Sequence, residues 1–88
     1  GVTAEGLPTT DLPRSELEAG IALFALMARA GLASSNSEAR RLIKGGGARI
    51  NDVAINAETQ EVVVDAINAD GVIKLSAGKK RHALVRPV

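Results

Sequence analysis

The sequence predicts an α+β domain, and three observations carry that reading. Two serine-led helix starts lie in the first half, the hydrophobic spacing changes from helical to alternating after residue 47, and β-branched runs with turn residues between them fill the remainder. The expected architecture is a two-helix hairpin packed on a small, mainly antiparallel sheet. Eighty-eight residues make one small domain, and 45% hydrophobic with 24% charged content is globular composition. Fifteen of the hydrophobic residues are alanine, so the core is small and the stability of the isolated chain modest.

The elements follow in order. Residues 1–14 hold two of the three prolines and no sustained period, which predicts a linker or extended arm, with the domain proper over 15–88. Ser15-Glu16-Leu17-Glu18 matches a capping box. Gly20 opposes a continuous helix there, because an interior glycine costs about 1 kcal/mol relative to alanine. Residues 15–19 therefore either open a helix or run extended into one that starts near Ile21. Residues 21–30 are rich in Ala and Leu, and Gly31 follows as a left-handed stop. The run 21–28 is apolar on every side, which predicts a buried helix with Phe24 in the core. At eight residues it is far short of the roughly 20 that a membrane span needs.

Ser35-Asn36-Ser37-Glu38 is a second capping box, and the residues after it agree. Ala39, Leu42 and Ile43 recur at i, i+3 and i+4, one helical face, while Arg40, Arg41 and Lys44 project elsewhere. Gly45-Gly46-Gly47 ends this short helix. The period then becomes two. Residues 49–51 and 53–55 flank an Asn51-Asp52 turn signal, 62–64 are three valines, 72–76 alternate, and 83–85 close the chain. Ala77-Gly78-Lys79-Lys80 reads as a hairpin loop.

Enzymatic constellations are scarce. The chain has no cysteine, hence no disulfide, thiolate nucleophile or zinc site with sulfur ligands, and the lack of bridges fits a cytoplasmic protein. His82 is the single histidine, expected half-buried or at the surface rather than acting as a base, because no Ser or Cys stands in a nucleophile motif. Asp52, Glu58, Glu61, Asp65 and Asp70 are dispersed, as on a solvated acidic face. The glycine triplet has neither the Walker spacing nor a G-x-G-x-x-G pattern. No signal peptide is visible. Gly1 in place of an initiator methionine is expected either of a piece of a longer chain or of an appended residue.

Charge is the better lead, although the net value is only +1. Residues 39–51 carry four basic groups and no acidic ones, 52–70 five acidic and no basic, and 71–88 five basic and no acidic. A fold that joins the basic blocks creates a positive face. Arg40 and Lys44, four apart, repel by a few tenths of a kcal/mol, a penalty that a polyanion removes. The competing reading is a solvated face whose charges pair with Glu38 or with residues 52–70. With no Trp or Tyr, and one Phe expected inside, no platform exists for stacking single-stranded bases. Recognition would rest on backbone and shape, which suits A-form RNA. A major-groove DNA contact by the short helix stays open as well.

Residues 30–51, A-G-L-A-S-S-N-S-E-A-R-R-L-I-K-G-G-G-A-R-I-N, resemble the signature of the S4-like RNA-binding module. The version is that found at the C-terminal end of bacterial tyrosyl-tRNA synthetases. The core is S-x-S-E-A-R-R-L-I with the glycine-to-asparagine spacing Gly46 to Asn51. The ending D-G-V-I-K-L to G-K-K-R, over 70–81, strengthens the synthetase version. The resemblance implies an S4-like (alpha-L) fold and a domain that grips the tyrosine tRNA on its anticodon side and along its long variable arm.

By position it assigns RNA contact to Ser35, Asn36, Ser37, Arg40, Arg41, Lys44, Arg49, Asn51, Lys79 and Lys80. Asn36 stands where relatives often carry a basic residue. The implied partners are tRNA and a catalytic domain of the same chain, with no membrane, in a parent expected to be a homodimer. That parent would use ATP with Mg to attach tyrosine, whereas this piece would need no cofactor. It is not expected to form the adenylate, because the catalytic signature needs a histidine pair and His82 is alone. Similar modules in pseudouridine synthases and in a small heat-shock RNA-binding protein are the alternative, and docking of the basic face on an acidic partner is another.

Overall fold

The computed structural model describes residues 7–88; the first six residues of the expected arm lie outside them. Strand β1 is Thr9–Leu12, helix α1 Arg14–Ala19, strand β2 Ile21–Ala22, helix α2 Leu23–Arg29 and helix α3 Asn36–Lys44. Strands β3 (Ala48–Ile50), β4 (Val53–Ile55) and β5 (Glu61–Val62) follow, then a 3-10 turn at Val64–Ala66, then β6 (Ile73–Ala77) and β7 (Arg81–Pro87). Five strands make one sheet in the order β1-β7-β6-β3-β4, and β2 pairs separately with β5. Every pairing is antiparallel except β1 with β7. The fold is α+β, as expected.

Three local outcomes differ from the expectation, two of them because a distant strand intervenes. Thr9–Leu12 are not only an arm: they pair in parallel with β7, with Leu12 fully buried. The Asp11 carboxylate accepts two bonds from the Arg86 guanidinium, at 2.8 and 3.0 Å. The sheet therefore begins ahead of residue 15. Helix α1 exists but starts behind Pro13 with no side-chain cap, and the box expected at Ser15 does not form. It ends at Gly20, where φ is +90°. The helix expected from Ile21 starts at Leu23, because Ile21 and Ala22 pair with Val62 and Glu61. Three α-helices thus precede most of the sheet instead of two, and the valine run 62–64 supplies only the end of a two-residue strand.

The helical hairpin is α2 with α3, and both helices end alike. In α2 the Gly31 N–H reaches the Ala28 carbonyl and the Leu32 N–H the Met27 carbonyl; in α3 Gly46 and Gly47 reach Ile43 and Leu42. These are paired Schellman bonds, which need a left-handed residue, and Gly31 and Gly46 supply φ of 81° and 79°. At the β3–β4 hairpin, Asn51 and Asp52 take φ of 49° and 70°, the mirror-image turn that fits strand twist.

One apolar cluster joins the helices to one face of the sheet. Leu17, Leu23, Leu26, Met27 and Ile43 meet Ile73, Leu75 and Val85, all fully buried, with alanines filling the narrow places. The alternation of β6 turns Lys74 and Ser76 to the reverse face. There Ser76 Oγ lies 2.8 Å from His82 Nδ1, and His82 is half-buried. Among the described residues no helix is long and apolar enough to cross a membrane.

Candidate nucleic-acid interface

Helix α3 is oriented by its cap and its core face. Ser35 Oγ accepts the Glu38 N–H at 3.1 Å, and Glu38 Oε1 accepts the Ser34 N–H at 2.9 Å, so the predicted box forms with its return bond one residue upstream. The Ser34 backbone amide, with its side chain, holds the Glu38 carboxyl below the usual 4.5, and the charges of Arg81 and Arg41 act the same way. Ala39 and Ile43 are fully buried. Because successive residues stand about 100° apart on a helix, this leaves Asn36, Ser37, Arg40, Arg41 and Lys44 exposed. The cap hydroxyl and Glu38 already serve the first turn, so anion binding falls mainly to the basic side chains.

The second basic stretch is brought alongside by the β6–β7 hairpin. Its Gly78 N–H donates to the Gly47 carbonyl at 2.7 Å, which seats the hairpin tip on the turn that ends α3. Gly46, Gly47, Arg49, Gly78 and Lys79 line a cleft of about 210 Å³ at that contact. Arg81 Nη2 donates to the Gly31 carbonyl at 3.1 Å, tying the base of the hairpin to the α2–α3 turn. Arg81 and Arg41 both lie close enough to Glu38 to stabilise its charge. The two basic blocks, far apart in the chain, therefore meet around the Gly47–Gly78 junction.

The cations are not equally available. Among the described residues Arg29, Lys44, Lys74 and Arg86 have a carboxylate within 4 Å, whereas Arg40, Arg41, Arg49, Lys79 and Lys80 do not. Lys44 leans toward Glu58 at 3.6 Å, a pair exposed on both sides. Solvated surface pairing thus accounts for Lys44 and leaves the other five.

Two residues stand otherwise than expected. Asn51 lies at the end of β3 away from the hairpin tip, since Ala48 pairs with Ala77 and Ile50 with Leu75. Its amide is committed inside the fold: Nδ2 donates to the Ala66 carbonyl at 2.6 Å, and Oδ1 accepts from Lys74 N at 3.0 Å and Asn68 Nδ2 at 3.1 Å. Phe24 is not in the core proper but half-buried at its rim. The Arg40 guanidinium carbon stands 4.3 Å from its ring centroid. Arg81 belongs to the basic run Lys79-Lys80-Arg81 at the hairpin tip but is not among the contacts assigned by position, and Phe24 is expected in the core; the signal for the part each plays on this surface is tertiary.

Comparison with known proteins gives the family. The family described as the tyrosine-tRNA ligase SYY-like C-terminal domain matches residues 3–85. A tyrosine-tRNA ligase of Nitrobacter winogradskyi is 55% identical over 87 residues, covering 99% of this chain and 21% of the relative. Ligases of Agrobacterium fabrum and Rhizobium meliloti are each 52% identical, over 99% and 100% of this chain and 21% of their own length. The chain spans about a fifth of the length of these curated relatives.

Proposed function

From the premise that the chain belongs to the tyrosine-tRNA ligase SYY-like C-terminal domain family, we propose that it is the tRNA-binding domain of a tyrosyl-tRNA synthetase. In this reading the fold is S4-like. The domain grips the tyrosine tRNA on its anticodon side and along its long variable arm, while a catalytic domain elsewhere in the same protein attaches tyrosine at the expense of ATP. The observation that carries it is the junction at Gly47 and Gly78, where Arg49 and the hairpin-tip Lys79 line one cleft and Arg41 of α3 and Arg81 of the hairpin both act on Glu38.

The division of labour follows from the side chains. Arg40, Arg41 and Arg49 present planar forks that match phosphate oxygens, and Lys79 and Lys80 add compact charges at an exposed tip. Asn36 and Ser37 offer neutral hydrogen bonds at the rim of the same surface, suited to phosphates and 2′-hydroxyls. Asn51 serves the interface indirectly, by fixing the β3–β4 turn behind Arg49. Affinity on such a surface comes from counterion release and falls steeply with salt. Discrimination of one tRNA from another then rests on where the phosphates stand, so a protruding arm is a feature this surface can read.

The test is binding of labelled tyrosine tRNA, and of the same tRNA with its long arm removed, across a salt series. The expected result is tighter, strongly salt-dependent binding of the complete tRNA. Equal weak binding of both counts against the synthetase reading. No binding at low salt removes RNA altogether.

A further inference from the structure

Arg40 is the one cation of α3 that rests on an aromatic ring, at 4.3 Å from the centroid of Phe24. Among the described residues no carboxylate lies within 4 Å of its guanidinium. Glu58 is taken by Lys44, one turn further along, and Glu38 is bound to Ser34. A carboxylate partner would also hold an arginine still, but it would cancel the charge and occupy the N–H fork. A ring face attracts the cation through its quadrupole and leaves both intact. Ordering the long side chain beforehand lowers the entropy lost when a ligand arrives.

Resting on the tRNA-binding reading, we propose that Phe24 is a positioning residue that holds the Arg40 fork ready for a phosphodiester of the bound RNA. The ring itself carries no charge. Removing it therefore changes affinity without changing the number of cations, and this separates its role from that of every basic residue nearby.

The experiment uses the full-length protein carrying this domain, with tyrosine tRNA as the probe and log K measured against log salt. Arg40→Ala should flatten the slope by about 0.7 to 0.9, the loss of one phosphate contact. Phe24→Leu should weaken binding about two- to fivefold with the slope unchanged. Phe24→Trp should keep wild-type affinity, and Phe24→Leu should add nothing in the Arg40→Ala background. Arg40→Lys, which leaves the half-buried ring in place, should behave like Phe24→Leu and keeps the test open if that variant folds poorly.

Additive losses from Phe24→Leu and Arg40→Ala overturn the proposal, as does an affinity loss in Arg40→Ala with no change of slope, which would indicate stacking on a base. If Lys79→Ala and Arg41→Ala weaken binding while Arg40→Ala does not, the tRNA-binding reading stands and this one falls. If none of the three weakens binding, the tRNA-binding reading itself falls.

Discussion

Replacing Asn51 separates a residue that holds the fold from one that touches RNA. Its amide makes one bond to Ala66 and accepts two, from Asn68 and Lys74, at 2.6 to 3.1 Å in a half-buried setting. At a net 0.5 to 1.5 kcal/mol each, and with exposure discounting them, the three together contribute about 2 kcal/mol. Alanine must also adopt the left-handed φ of 49° that Asn51 holds, which adds roughly 1 kcal/mol. Asn51→Ala should therefore destabilise the 88-residue chain by about 3 kcal/mol. A domain of this size loses about 4 to 8 °C of Tm per kcal/mol, so the melting point should fall by roughly 12 to 24 °C. Asn51→Gly loses the same bonds but not the backbone penalty, and should recover about 1 kcal/mol of the loss. The assay is urea and thermal unfolding beside tRNA binding at a temperature where every variant is folded. If Asn51→Ala unfolds within 0.5 kcal/mol of wild type, taken as about the effect of an ordinary surface substitution, yet loses tRNA affinity, the structural assignment is wrong and Asn51 is a direct ligand.

Three further outcomes are expected. Changing Arg40, Arg41 and Lys44 together to alanine should leave folding within about 1 kcal/mol, because an exposed ion pair and one cation–π contact are lost while Arg40–Lys44 repulsion is relieved. The salt slope for tRNA should drop by on the order of 1.4 to 1.8 in that variant, for the two phosphate contacts of Arg40 and Arg41, Lys44 being paired with Glu58; unfolding with an unchanged slope would make the three side chains structural. Gly46→Ala has open space for its new methyl group, so the loss of about 1 to 2 kcal/mol expected in a denaturant melt is conformational. Glu38 titrates below its usual 4.5 because its charged form is held by Ser34; the folded state binds fewer protons, so its stabilisation is complete above that value and is lost as pH falls through the depressed one. Glu38→Gln should accordingly flatten the acid limb of stability against pH, and superimposable profiles would contradict this.

What could be read from the chain alone was what neighbours along it decide. The α3 start at Ser35, its apolar spacing, the Gly31 stop and the Asn51-Asp52 turn all follow from bonds spanning a few residues, and all are present. What escaped depends on pairings across long loops. Thr9–Leu12 carries little strand signal between two prolines and becomes a strand through partners 75 residues away. Ile21 and Ala22 read as helix until Glu61 and Val62 claim them. The basic blocks are visible as charge, but their meeting depends on the β3–β6 ladder and the Gly78–Gly47 bond that continues it. Phe24 looked buried because its neighbours are apolar, and only the packing of α3 on α2 reveals the guanidinium over it. Asn51 matches a family RNA contact by position, whereas residues 66–74 engage its amide in three bonds.

The parallel pairing of β1 with β7 has a mechanical consequence. Because the two strands run the same way, tension between Leu7 and Val88 draws them past each other lengthwise, so the ladder bonds and the Asp11–Arg86 fork are loaded in shear together. A hairpin pulled from its open end would instead unzip bond by bond. The backbone bonds from Arg14 to Val88 and from Val88 to Leu12 extend this clamp by a further turn of chain, placing a shear-loaded seam along the edge where β1 and β7 meet.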